Sequence, residues 1–121
     1  MKLLTKELID QLPVCDQVCE DPDPTIYAKF FLPGTIWTWY VAAVESRDDD
    51  DLIFFGYVIG DFPEWGHFSL SELRSARVNV PVVPAQPGQG DAFTIPCVVE
   101  RDLHFTQGCW SEVKKRERIE D

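Results

Sequence analysis

Lysine and arginine are scarce in this chain of 121 residues, where eleven of them face twenty-one acids and the formal net charge is −10. Nucleic-acid binding draws most of its affinity from cationic side chains that release counterions from phosphates, so this balance argues against direct binding of DNA or RNA. Long apolar runs are lacking too. No segment approaches the roughly 20 apolar residues of a membrane span. The opening MKLLTKELID breaks its leucines with Lys6, Glu7 and Asp10, unlike the uninterrupted core of a signal peptide. Together these absences lead to the expectation of a cytoplasmic protein without membrane contact, in which Cys15, Cys19, Cys97 and Cys109 are reduced thiols. There is no nucleophile elbow, phosphate-binding loop or H-E-x-x-H helix, and helix capping accounts for Ser69 and Ser71, so an enzyme is not expected.

Apolar mass is plentiful. Hydrophobic residues make up 45% of the sequence, enough for a packed core in a single domain spanning 1–121. Eleven of the fifteen aromatic residues fall between Phe30 and Phe68, a density that usually builds a sheet core. The same half carries the charge: residues 16–64 hold eleven acids against Lys29 and Arg47 alone.

Leu4, Leu8, Ile9 and Leu12 recur at helical spacing behind a Thr5 N-cap, and Pro13 ends the run. Residues 15–25 read as an exposed loop around Pro22 and Pro24. The β-rich runs 26–32, 36–44 and 52–59, joined by Pro33-Gly34 and an acidic link at 45–51, predict antiparallel hairpins. The second run is apolar on both faces and is the expected central strand. A fourth strand at 65–68 leads into a helix from 70 to about 77, where Ser69 and Glu72 have capping-box spacing. Pro81, Pro84, Pro87, Gly88, Gly90 and Pro96 make 79–96 a long loop, 97–105 reads as the last strand, and 111–121 is a charged tail with a frayed helix. The expected fold class is α+β: a twisted antiparallel sheet of four to five strands with the N-terminal helix and the 70–77 helix packed on one face.

Taken together, KFFLPGTIWTWY (29–40), FFGYVIG (54–60), GHFSLSEL (66–73) and ERDLHF (100–105) resemble a small bacterial family known only as a domain of unknown function. The resemblance covers most of residues 3–105 and implies a mobile-element setting, since that family is met on plasmids, phages and integrative elements. It implies no catalytic residue. The 79–96 loop, the four cysteines and the basic tail depart from the family pattern.

Asp48, Asp49, Asp50 and Asp51 are most simply a solvated hairpin loop. The sharper reading is nucleic-acid mimicry, because dense carboxylates can occupy a groove built for DNA, which carries one charge per roughly 1.7 Å of axis. On that reading the chain is a non-enzymatic inhibitor of a host nuclease or defence complex with a basic surface, of anti-CRISPR or anti-restriction type. The four aspartates, with Glu45, Asp61 and Glu64, supply the charge, and Trp37 or Trp65 anchors the contact. Two alternatives stand beside it. One is a single-strand nucleic-acid binder that stacks bases on Trp37, Trp39, Tyr40, Phe54, Phe55, Trp65 and Phe68, with the basic tail 114–118 in support. The other is a structural accessory domain of larger plasmid or phage proteins.

Glu100, Asp102 and His104 read as a polar strand face, and Arg101, turned toward the core, predicts an ion pair with Glu72. Cys15 and Cys19, with Cys97, His104 and Cys109, are enough ligands for a zinc, but the spacing is poor. Separate thiols, no metal and no cofactor are therefore expected.

Overall fold

The computed structural model describes residues 3–47, 51–82, 90 and 93–120. Among these are four helices: α1 (Lys6–Gln11), α2 (Cys15–Val18), α3 (Leu70–Ser75) and α4 (Trp110–Glu117). The strands are β1 (Thr25–Ile26), β2 (Ala28–Phe31), β3 (Thr38–Arg47), β4 (Leu52–Ile59), β5 (Pro63–Ser69), β6 (Arg77–Val82), β7 (Phe93–Val98), β8 (Glu100–Arg101) and β9 (Gly108–Cys109). An antiparallel five-stranded sheet of order β5-β4-β3-β2-β8 forms the centre, with two-stranded pairs β1-β9 and β6-β7 beside it. The architecture is α+β.

β3 occupies the middle because its side chains are buried on both sides. Trp39, Val41 and Val44 join a first core with Phe30, Phe54 and Phe68, while Tyr40, Ala42 and Ala43 join a second with Tyr57 and Trp110. Two irregularities, between Val41 and Ala43 and between Val44 and Ser46, let neighbouring alanines serve one face and return Val44 to the other. At this point β3 also holds the start of the chain, since Val44 N–H donates to the Pro13 carbonyl at 2.9 Å. Gly56 lies opposite Val41, and any Cβ there would collide with the Tyr40 carbonyl. Only glycine permits that approach.

The helices serve both cores. Leu8 and Leu12 at the end of α1, with Leu70 and Leu73 of α3, pack in the first; Cys15 and Val18 of α2, with Trp110 and Val113 of α4, pack in the second. Residues 15–25, expected as a loop, thus contain α2 and lead into β1 at Thr25. Their structure comes from burial of Cys15, Val18 and Ile26, a tertiary effect that local pattern does not carry.

Both expected N-cap bonds are present, with an addition. Thr5 Oγ1 accepts from Leu8 N–H at 3.2 Å, and Ser69 Oγ accepts from Glu72 N–H at 3.0 Å. The start of α3 is also gripped by Asp51, whose Oδ1 accepts from Ser71 N–H at 3.0 Å and whose Oδ2 accepts from the Ser71 hydroxyl at 2.7 Å. In α4 the N-cap Cys109 makes no such bond. There Asp23 takes over, accepting from Ser111 N–H at 2.7 Å and from the Ser111 hydroxyl at 2.9 Å. Both carboxylates sit where the helix dipole favours negative charge.

The central strand starts two residues later than expected. The Thr35 hydroxyl donates to the Leu32 carbonyl and accepts from Trp37 N–H, which makes 35–37 a turn and leaves Ile36 67% exposed. The ends of the supposed 79–96 loop are strands, with Asn79 opposite Pro96 and Pro81 opposite Thr94. Proline is tolerated because both members of a two-stranded pair are edges. The expected strand 97–105 is broken instead: Asp102 Oδ1 accepts from His104 N–H at 2.9 Å, a local turn that stops β8 after two residues. Glu100, Asp102 and His104 therefore do not share a strand face. Arg101 and Glu72 form no ion pair among the described residues, because β8 is one edge of the sheet and α3 packs at the other, beside β4 and β5. The ion pairs near Arg101 belong to Lys29, which lies 2.9 Å from Glu117 and 3.8 Å from Asp102.

Candidate binding cleft and thiol–histidine cluster

On the second face, alternation along β4 and β5 brings aromatic side chains into one ladder. Tyr57 pairs opposite Trp65, and Phe55 opposite His67. Phe55 stacks on Trp65 with centroids 5.7 Å apart, Tyr57 meets Trp65 edge-on at 5.4 Å, and Trp110 of α4 closes on Trp65 at 5.2 Å and on Tyr57 at 4.6 Å. Tyr40 lies beneath Trp110, and burial pushes its phenol well above the ordinary value, so it stays neutral.

α4 covers only part of this ladder. Cys19, Asp21, Pro22, Pro24, Phe55, Trp65, Trp110 and Lys114 line a cleft of about 350 Å³, and Trp65 remains 36% exposed in it. The two prolines stiffen the wall that carries Asp21. Aromatic faces with a carboxylate beside them suit a flat cation, which gains cation–π attraction and a charge-assisted hydrogen bond together, opposed in part by the Lys114 ammonium in the same lining.

At the end of the ladder Cys15 and Cys19 are joined as a disulfide, contrary to the expected four thiols; Cys97 and Cys109 are free. His67 Nε2 lies 3.9 Å from Cys15 Sγ and 3.2 Å from Glu45 Oε2. Cys97 and Cys109 sit on β7 and β9, and His104 in the turn after β8, so the ligand set weighed from the sequence does not assemble. His67 was missed because its proximity to Cys15, 52 residues away, depends on the fold. The only local sign of the cluster is the Cys15-x3-Cys19 spacing.

The residues expected to meet a partner are dispersed. Trp37 packs against the first core and stacks on Trp39 at 5.8 Å, whereas Trp65 and Glu45 belong to the second face, so the two tryptophans cannot anchor one contact. Asp61 is exposed in the β4–β5 turn, and Glu64 is exposed on β5 between Pro63 and Trp65. Asp51 is held by Ser71, whose hydroxyl is the leading cause that lowers its pKa below the ordinary value. Asp48, Asp49 and Asp50 lie outside the described residues. No helix among the described residues is long and apolar enough to cross a membrane.

No curated protein and no solved structure matches this chain. Residues 3–85, more than half of the sequence, match the family described as protein of unknown function (DUF2958), and the chain belongs to that family.

Proposed function

We propose that this chain is a small acidic interaction protein without catalytic activity, which holds a cationic segment of a protein partner in the cleft on its second face. The observation that carries this reading is the half-open aromatic wall of Phe55, Trp65 and Trp110 with Asp21 beside it, on a chain of net charge −10. An arginine of the partner stacks on the exposed Trp65 ring and reaches the Asp21 carboxylate with its fork of donors. The excess of acids supplies long-range attraction and a fast, salt-sensitive encounter.

Carriage on mobile elements, which the motif resemblance implies, supports a partner in host defence or nucleic-acid processing. The DNA groove of a restriction or CRISPR nuclease presents the basic chemistry the cleft suits. In this reading Asp48, Asp49 and Asp50 act through charge, as a nucleic-acid-mimicking surface, and Trp65 acts through contact.

The test is tryptophan fluorescence during titration with an arginine-rich peptide, and then with a candidate nuclease, at two salt concentrations. The expected result is binding that weakens with salt and drops at least about tenfold in Trp65→Ala, as for an interface hot spot. Salt-independent binding that is unaffected by Trp65→Ala would sink the proposal. Quenching by single-stranded oligonucleotides in place of the peptide would favour the nucleic-acid reading, to which the stacked Phe55–Trp65 pair lends itself.

A further inference from the structure

We infer that Cys15, Cys19 and His67 form a zinc site when the Cys15–Cys19 disulfide is reduced. One donor atom from each residue lies within 4.8 Å of the others, on α2 and β5. A tetrahedral zinc, with bonds of about 2.3 Å to sulfur and about 2.0 Å to nitrogen, holds those ligands about 3.5 Å apart. His67 Nε2 already stands 3.9 Å from Cys15 Sγ, so a small shift brings both onto one ion. The two cysteines are four residues apart across one helical turn, the spacing by which paired ligands on a helix share a zinc.

Two thiolates and one imidazole leave a single tetrahedral position. Glu45 Oε2 lies 3.2 Å from the same Nε2 but outside the set of mutually close donors, so water, or this carboxylate after a turn of its side chain, fills that position. Two sulfurs and an imidazole are soft enough to select zinc over magnesium or calcium.

The chemistry requires a reductant. A phosphine breaks the S–S bond and leaves as its oxide with the oxygen of one water, while the two hydrogens of that water form two S–H bonds. Zinc then displaces both thiol protons to solvent as it binds. Because Cys19 also lines the cleft, the metal would fix one wall of it, but the zinc inference does not rest on the proposed partner.

The experiment uses the full chain, reduced with a phosphine and free of chelator, titrated with Co²⁺ and then with Zn²⁺. We expect about one Co²⁺ per chain, with intense visible absorption of a tetrahedral site and a near-ultraviolet sulfur-to-cobalt band, both bleached by zinc. Cys15 is buried and its loss tests folding as well, so the exposed positions carry the test, with circular dichroism as the check on fold. His67→Ala and Cys19→Ser should each weaken binding by at least about 100-fold, the upper range for losing even an outer-shell partner. Cys97→Ser and Cys109→Ser should leave binding unchanged. Absence of both bands in the reduced protein would overturn the inference, as would bands of unchanged affinity in folded His67→Ala.

Discussion

The two faces of the central sheet are built from the same strands and are equally rich in aromatic residues, yet they are finished differently. On the first, Leu12, Leu70, Leu73 and Val78 join Phe30, Phe54 and Phe68 in one cluster, and Phe54 has no exposed surface. On the second, α4 seals Tyr40 and Tyr57 but covers Phe55 and Trp65 only in part. Aromatic content alone therefore does not separate a closed core from an open cleft. What separates them is whether a later segment of the chain arrives to cover the ring.

The largest effect should come from cutting into the covered regions. Phe54→Ala should destabilise the protein by about 3–5 kcal/mol in urea unfolding, through lost burial and the cavity left behind. Trp110→Ala should cost a similar amount, because this ring, at the start of α4, is buried against the sheet and touches Tyr40, Tyr57 and Trp65. A much smaller loss at Trp110 would mean that the second face is not a true core. Trp65→Ala sharpens the contrast, with a stability loss of only about 1–2 kcal/mol and the drop in peptide affinity already described.

The smallest effects belong to the helix clasps. Asp23→Asn and Asp51→Asn should each lower Tm by a few degrees in calorimetry at neutral pH, since an amide grips a serine less strongly than a carboxylate does. Both carboxylates have pKa values below their ordinary value of 3.8. For Asp23 the backbone and hydroxyl bonds from Ser111 lead, and for Asp51 the Ser71 hydroxyl leads. A depressed carboxylate adds stability above its unfolded-state pKa and loses it as pH falls through the folded-state pKa. The penalty of the two variants should therefore be full at neutral pH and shrink below pH 3.8. A constant penalty down to strong acid would show that the clasps do not work through charge.

Much of the first face was legible in the sequence. The 52–59 strand coincides with β4 because an unbroken apolar run tolerates burial on both sides, and Thr5 and Ser69 announced their helices through capping chemistry. The second face was far less legible. Its lid, Trp110, stands in no periodic pattern, and β1 and β9 are two-residue strands that exist only as partners of each other. Asp51 shows the limit most clearly: within a run of four aspartates it reads as one more solvated charge, yet Ser71, twenty residues on, gives it a structural post. Such assignments depend on distances that only the folded chain defines.

The way residues 93–120 thread through the molecule has a consequence for its covalent economy. β7 pairs with β6, β8 with β2 and β9 with β1, while Ser111 is tied to Asp23 across 88 residues. Every strand of the C-terminal portion thus has its partner in residues 3–82. A protease that cut between Val82 and Phe93 would leave two fragments joined by three strand pairings and a shared core, so they should elute together as one particle and separate only in denaturant. On that expectation the interlocking of the strands, more than the continuity of the backbone between them, holds the two portions together.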